Sequence, residues 1–452
     1  MKITVKHDVR LQPIPSLLRD ILIEKLTLIN PKWVENERMG RWNRSTPKVL
    51  RFYSKTKDAL WIPRGLLRQV ILLCRKHRIP YRIHDLRREL PEIDFRFKGS
   101  LKDFQQIAVL AMMKKEFGTL SAPTGSGKTV MGLFMIARRR QPALIIVHTK
   151  ELAFQWIEQI ERFLDIPHAD IGLIGAGKKQ IGSKITVALV QSLYRRADEA
   201  AKHIGHLVVD ECHRTPSRTF TEAVTEFDSR YMLGLSATPW RRDRLSSLIF
   251  WHIGDVHYSV DKSSLIEHGH ILAVETIIRE TQFEPFHDPV KEYSKMLLEL
   301  TADDERNRLI VSDIAQETEK SDGICLVLSD RKKHCEILKA LLRYRHKIHA
   351  ELLTGDLPSS ERKAILNRLK SGEVRVLIAT GQLIGEGFDC ENLSTLFLST
   401  PIRFSGRVVQ YLGRVLRPTQ VNTKKARVFD YVDSRVGVLR TAARERQKIY
   451  SS

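Results

Sequence analysis

The octapeptide Ala122-Pro-Thr-Gly-Ser-Gly-Lys128-Thr129 limits what this chain can fold into more than any other stretch does. It sits between Phe117-Gly-Thr-Leu-Ser121, short and apolar, and Val130-Met-Gly-Leu-Phe-Met-Ile136, amphipathic. That order predicts a strand, a tight phosphate loop and a helix. Gly125 and Gly127, with Thr124 and Ser126 beside them, let backbone N–H groups close around polyphosphate oxygens. The helix N-terminus adds the positive end of its dipole, Lys128 reaches the terminal phosphates, and the Thr129 hydroxyl suits Mg²⁺. The general phosphate-loop pattern begins with Gly, whereas Ala122 stands here, which marks a subclass. Further on, Gly205-His-Leu-Val-Val-Asp210-Glu211-Cys212-His213 puts two adjacent carboxylates at the end of a buried-strand pattern. Hydrolysis of ATP needs one carboxylate to hold Mg²⁺ and one to activate the attacking water. Asp210 suits the first role and Glu211 the second.

A chain of 452 residues exceeds one ordinary core, so two or three domains are expected. The formal net charge is +22, and residues 1–100 hold 23 Lys/Arg against 10 Asp/Glu, a surplus of 13 in under a quarter of the length. A phosphate polymer is the partner that rewards such an excess, so this stretch reads as a separate nucleic-acid-facing domain. Segments 15–26 and 64–75 have helical period, and 50–55 and 59–63 read as short strands. Arg residues interleave with aromatics from Trp33 to Trp42 and at Arg51-Phe-Tyr53, a pattern that suits backbone gripping and base stacking. Aromatics scattered through a small domain more often form its core, and the core is the favoured place for Trp42 and Tyr53. No apolar run of about 18 residues occurs. Met1-Lys-Ile-Thr-Val-Lys-His-Asp8 lacks a signal-peptide core, so a cytoplasmic location is expected. Cys74, Cys212, Cys325, Cys335 and Cys390 form no Cys-x-x-Cys pair, which argues for reduced thiols and against structural zinc.

Residues 91–100 read as a linker, and Leu101-Lys-Asp-Phe-Gln105-Gln-Ile-Ala108 opens a helix. Three apolar strands then end in polar groups: Ala143–Val147 before His148-Thr149, Ile185 onward before Gln191-Ser192, and Tyr231 onward into Ser236-Ala-Thr238-Pro. Thr149 sits where a hydroxyl holds a phosphate, caps a helix, or does both. From residue 323, strands 323–330, 349–355, 374–380 and 395–400 alternate with amphipathic segments such as 359–369. A second parallel-sheet domain without a phosphate loop follows. The hinge between the two falls near Val260, after which a helical stretch ends at 303–307. Charge builds on a transferring phosphoryl group, so the residues that complete the site are cationic. Gln410-Tyr-Leu-Gly413-Arg414-Val-Leu-Arg417 places such groups on one helical face. The tail from Ser434, with Arg440, Arg444, Arg446 and Lys448, reads as a basic helix that tracks a phosphate backbone or is simply solvated.

The Ala-x-x-Gly-x-Gly-Lys-Thr loop and the Asp-Glu-Cys-His box, with five further motifs in order between Leu101 and Val432, resemble superfamily 2 helicases and translocases of the XPB and UvsW types. The resemblance implies an α/β fold of two RecA-like parallel-sheet lobes in tandem, at 96–260 and 261–452, after a small basic α+β domain at 1–95. It implies ATP and Mg²⁺ as cofactors. Gln105 would read the adenine edge, Thr124 to Thr129 with Gly387 and Asp389 would hold the nucleotide, and Thr129 and Asp210 the metal. Arg414 and Arg417 would be arginine fingers, with Gln410 beside them. Thr149, Gln191, Ser192 and Thr380 would contact a nucleic-acid strand, and His213, Ser236 and Thr238 would couple it to the ATP site. Trp240-Arg-Arg242-Asp lies where XPB-type proteins carry Arg-Glu-Asp, with Arg242 in place of Glu. The implied activity is ATP hydrolysis coupled to movement on, or remodelling of, duplex, forked or branched DNA, 3′ to 5′, in settings such as DNA repair. The implied form is a monomer away from membranes, working beside a nuclease or a repair or defence complex. Two alternatives stay open, an RNA helicase and an ATP-gated DNA clamp that serves a nuclease without unwinding.

Overall fold

A computed structural model of the chain describes residues 1–212, 218–237, 246–320, 322–381, 393–401 and 426–450. They form two compact units, one of Met1–Ala122 with Gly127–Val260, the other of Pro123–Ser126 with Asp261–Ser452.

The first unit opens with a hairpin of β1 (Lys2–Val5) and β2 (Asp8–Gln12), whose alternating Ile3, Val5, Val9 and Leu11 all face inward. Among the described residues β3 (Thr27–Ile29) and β4 (Val49–Arg51) pair only with each other. β5 (Ser54–Lys55), β6 (Leu60–Pro63) and β7 (Arg82–Asp85) join the hairpin in the order β5-β6-β2-β1-β7. The helices Ser16–Lys25 and Leu67–Lys76 pack Leu18, Leu22, Leu67, Val70 and Cys74 onto it. The single strand expected over 50–55 is therefore split between two sheets, because Phe52 and Tyr53 leave strand geometry to pack on this core. The core assignment of Tyr53 agrees with the structure and that of Trp42 does not: the indole is 86% exposed. The neighbouring helix Pro31–Arg38 buries no residue, so there is no core at that place to receive it.

This module shares its core with the larger sheet of the same unit through Leu248 and Trp251 of the helix Ser246–Ile253. Gly65 permits the approach, since a Cβ there would lie 2.2 Å from the Phe250 carbonyl oxygen. Arg64, 1% exposed, donates to the carbonyls of Ser229 (2.8 Å), Phe227 (3.3 Å) and Lys6 (3.3 Å). Burial, with Arg87 nearby, pulls its pKa down to about 9. Arg88 adds an ion pair with Asp228 at 2.8 Å. Arg64→Leu strands those carbonyls, so it should lower the unfolding free energy of this unit by about 2–4 kcal/mol, read from the urea midpoint.

The larger sheet holds β8 (Phe117–Ser121), β9 (Ala143–Val147), β10 (Gly172–Gly175), β11 (Lys178–Gln180), β12 (Ile185–Leu189), β13 (His206–Val209), β14 (Tyr231–Ser236) and β15 (Val256–Ser259). Their order is β11-β10-β12-β9-β13-β14-β8-β15, and every neighbouring pair but β10 with β11 is parallel. β9, β12 and β13, apolar but for Thr186 and His206, are buried along their whole length, the pattern of strands covered on both faces. Parallel register puts the carboxyl ends of β8, β9, β12, β13 and β14 on one edge, the edge at which open α/β sheets bind ligands.

Among its described residues the second unit has a six-stranded, all-parallel sheet of β16 (Val274–Glu280), β17 (Ile324–Ser329), β18 (Ala350–Leu353), β19 (Val376–Thr380), β20 (Leu393–Leu398) and β21 (Ala426–Val432), in the order β16-β21-β20-β17-β19-β18. Ile310, Ile314, Val327, Leu338 and Val376 fill its core with Phe397 stacked on Phe429, ring centroids 4.6 Å apart. The helical stretch expected to end at 303–307 instead changes helix there. Tyr293–Ala302 stops at extended Asp303, whose Oδ1 accepts from the Arg306 N–H at 2.7 Å and starts Asp304–Lys320. The basic tail forms the helix Gly437–Tyr450, but Arg446 neither tracks a backbone nor is solvated. It is buried against Asp430 at 2.7 Å, with the Tyr450 hydroxyl donating to the same carboxylate at 2.8 Å, and so anchors the helix to β21. Among the described residues no helix is long and apolar enough to cross a membrane.

Candidate nucleotide site

β8 runs directly into the loop, and the Ala122 N–H donates to the Ser236 carbonyl at 2.9 Å, tying the loop's start to the end of β14. Gly125 and Gly127 take φ of +85° and +81°, left-handed values that a side chain would strain. Gly127 is also the N-cap of the helix Lys128–Arg139. The Ser126 hydroxyl and N–H both donate to the Pro123 carbonyl, at 2.7 Å and 3.2 Å. Lys128 folds back over the loop, its Nζ donating to the Ala122 carbonyl at 2.9 Å. Thr129, half-buried, follows in the first helical turn.

Gln105 lies in the helix Asp103–Met113 and is buried beside this loop. Its Oε1 accepts from the Lys102 N–H at 3.0 Å, which fixes the carboxamide, and a Cβ on Gly127 would sit 2.4 Å from its Nε2. The second loop glycine is thus required twice, by backbone conformation and by the approach of Gln105.

Asp210 and Glu211 follow β13, between the ends of β9 and β14. Asp210 is 8% exposed. Its Oδ2 accepts from Trp156 Nε1 at 2.8 Å and its Oδ1 from the Glu211 N–H at 2.9 Å. Burial, then the Glu211 charge, raises its pKa to about 6, while Trp156 and Lys128 pull the other way. Glu211 adopts φ +47°, a left-handed conformation worth about 1–2 kcal/mol of strain in a residue with a Cβ. Such outliers concentrate at functional sites.

Trp156 belongs to the helix Lys150–Leu164, and no sequence motif pointed to it. Gly132 of the phosphate-loop helix makes room for its ring, since a Cβ there would lie 3.3 Å from Trp156 Cη2. The available signal was its place on the apolar face with Ala153, Ile157 and Ile160, which reads equally as core.

The remaining site residues divide. Thr149 is the N-cap of the helix Lys150–Leu164, its hydroxyl accepting from the Leu152 N–H at 3.3 Å. Exposed Gln191 and half-buried Ser192 lie on the short helix Val190–Leu193 just past β12, and Ser236, fully buried, ends β14. Ala122, the start of the helix Lys128–Arg139, Thr149, Gln191, Asp210, Glu211 and Ser236 therefore share one edge of one sheet. Thr380 ends β19 of the second unit, in register with Ser329. There Ser329 Oγ meets His334 Nδ1 at 2.9 Å, and His334 Nε2 meets Asn307 Oδ1 at 2.8 Å. Burial, then Arg306, pulls the His334 pKa down to about 3, so it stays neutral and ties the end of β17 in place. His213, Thr238, Arg242, Gly387, Asp389, Gln410, Arg414 and Arg417 lie outside the described residues.

Among the described residues no group of three or more His, Cys, Asp or Glu side chains could hold a metal. One hydroxyl and one buried carboxylate fit an ion that takes most of its ligands from phosphates and water, as Mg²⁺ does at nucleotide sites.

A parallel sheet with a glycine loop at the end of one strand and an acidic pair at the end of another defines a RecA-like nucleotide hydrolase. The family follows from two matches, to the type III restriction enzyme res subunit model over residues 98–241 and to the helicase conserved C-terminal domain over residues 306–419. Together they span more than half of the chain, which belongs to the ATP-hydrolysing superfamily 2 helicases and translocases and carries two RecA-like lobes. Among curated relatives, DNA 3′-5′ translocase XPB2 of Sulfurisphaera tokodaii is 26% identical over 385 residues, covering 77% of this chain and 85% of that one. Among solved structures, a fragment of a putative HsdR subunit of a type I restriction enzyme from Vibrio vulnificus YJ016 has a TM-score of 0.57 at 17% identity, covering 77% of this chain and 66% of that one. T4 UvsW aligns over 100% of this chain and 97% of its own, with 19% identity and a TM-score of 0.46.

Proposed function

We propose that the chain is a DNA-dependent ATPase that moves 3′ to 5′ on duplex, forked or branched DNA. The observation that carries this reading is the pairing of Lys128, folded over a two-glycine loop, with the buried Asp210 and strained Glu211 at the same sheet edge. Support for DNA comes from the XPB2 relative and from the cationic excess of residues 1–100.

In this reading residues 1–95 form the nucleic-acid-binding module, 96–260 the ATP-binding lobe and 261–452 the second lobe. Lys128 leaves the Ala122 carbonyl to neutralise the terminal phosphates, Gln105 reads the adenine edge, and Glu211 takes the proton of the attacking water. Mg²⁺ held by Thr129 and Asp210 would offset the charge of the phosphate oxygens. Trp156 keeps Asp210 ionised by donating to it. Gly387 and Asp389 complete the nucleotide contacts. Arg414 and Arg417, with Gln410, meet the charge that builds on the transferring group. Thr149, Gln191, Ser192 and Thr380 contact one strand, and His213, Ser236 and Thr238 relay its presence to the ATP site. The protein works in the cytoplasm as a monomer, with a nuclease or a repair complex as its natural partner.

Trp156→Phe removes the N–H that favours the Asp210 carboxylate, and its pKa then moves further above about 6. The Mg²⁺ concentration for half-maximal ATP turnover should rise about tenfold, the scale typical of outer-shell partners, with the maximal rate recovered at high Mg²⁺. The reading as a whole is tested by ATP turnover with single-stranded, duplex and branched DNA and with RNA at one stated salt concentration, since affinity for any polyanion falls steeply with salt. DNA should stimulate turnover and RNA should not. Turnover indifferent to every nucleic acid, or driven by RNA alone, overturns it.

A further inference from the structure

The basic N-terminal module contains one segment that has no apolar interior. Between β3 and β4 the chain forms the helix Pro31–Arg38, none of whose residues is buried, and then a loop at 39–48. Polar contacts hold this segment in shape. Asn30 Oδ1 accepts from the Lys32 N–H at 3.0 Å while its Nδ2 donates to the Pro47 carbonyl at 2.8 Å. Asn36 Nδ2 donates to Asn43 Oδ1 at 2.9 Å, and Asn43 Nδ2 to the Trp33 carbonyl at 3.1 Å. The Arg41 N–H adds a bond to the Asn36 carbonyl at 2.8 Å. Asn30 and Asn36 before the loop and Asn43 within it thus fix a turn whose outermost aromatic is Trp42.

That indole stands in water in a loop whose backbone is pinned on either side of it, an arrangement that preserves a projecting ring without burying it. Its surroundings are cationic: Lys32, Arg38, Arg41, Arg44, Lys48 and Arg51 are all exposed, and between Pro31 and Arg51 they face only Glu35 and Glu37. Trp33, by contrast, is already engaged, with the Lys48 ammonium 4.8 Å from its ring centroid. A planar ring flanked by guanidinium groups matches one chemistry above others, an unpaired base whose neighbouring phosphates accept from arginine. Bases inside a duplex are stacked on each other and do not offer that face. Arg64, Gly65 and Arg88 fix the module to the sheet that carries the phosphate loop, so a base held here is held relative to that sheet.

We propose that this loop is a second DNA contact, in which Trp42 stacks on an unpaired base at a single-strand–duplex junction while Arg38, Arg41 and Arg44 hold the flanking phosphates. The proposal rests on the DNA-motor reading and adds to it a site for junctions. The test compares the full-length protein with Trp42→Ala and Trp42→Phe by fluorescence anisotropy on a forked DNA, a blunt duplex and a forked RNA at one salt concentration. ATP turnover is measured in parallel with and without DNA. Trp42→Ala should weaken fork binding about tenfold, within the range for loss of one stacked base. Blunt-duplex affinity, turnover without DNA and the melting temperature should stay at wild-type values, and Trp42→Phe should keep most of the fork affinity. Equal fork affinity in Trp42→Ala and wild type, with DNA-stimulated turnover intact, overturns this site alone and points to a protein surface. A loss confined to RNA overturns its assignment to DNA. Wild-type turnover that no DNA stimulates overturns the motor reading and this site with it.

Discussion

Glu211→Gln should lower ATP turnover by about 10²- to 10⁴-fold, the range attributed to a positioned general base, and leave ATP affinity close to wild type. The change keeps the length and shape of the side chain and so leaves the left-handed backbone at φ +47° undisturbed. What it removes is the proton acceptor. It also removes the charge that helps to raise the Asp210 pKa, so Asp210 ionises more readily in the variant and metal binding does not suffer. Single-turnover hydrolysis beside a nucleotide-binding titration separates the two effects. Turnover within a few-fold of wild type would remove Glu211 from the chemistry.

Lys128→Ala should fail differently, losing both nucleotide affinity and turnover, with turnover reduced by about 10² to 10³ or more. Here the side chain donates to the Ala122 carbonyl in a partly buried bond, and a bond of that kind contributes about 0.5–1.5 kcal/mol to unfolding free energy. The contrast with Arg64→Leu, which should destabilise the fold through a residue away from the phosphate loop, distinguishes a broken site from a broken fold. A Lys128→Ala protein that melts like wild type and still hydrolyses ATP would refute the phosphate-loop assignment.

The parts legible from sequence were those whose requirements are local. Gly125 and Gly127 announce themselves because few other residues tolerate φ near +80°, and β9, β12, β13 and β14 because strands buried on both faces read as apolar runs. The carboxylate pair was visible because it closes such a run. The β1–β2 hairpin was not, since four or five residues that alternate with Lys, Thr and Arg carry too little period to stand out. β16 was missed for a related reason, its Glu275, Arg279 and Glu280 interrupting the apolar pattern. Side-chain partnerships across the fold were invisible altogether. Nothing near Trp156 in the sequence says that it donates to Asp210, nothing near Arg446 that it is buried on Asp430, and nothing near Trp42 that three asparagines hold it out in water. Asp303 shows the same limit at short range, where one side chain ends one helix and begins the next.

Hydrolysis at this site should move the chain along DNA. Displacement of a labelled third strand from a triplex measures that movement directly, because the third strand leaves only when a motor reaches it along the duplex. With ATP the wild-type protein should clear the triplex from the 3′ side, and Glu211→Gln with ATP should leave it in place. Third-strand release that is equal with and without ATP, or unchanged in Glu211→Gln, would contradict the account.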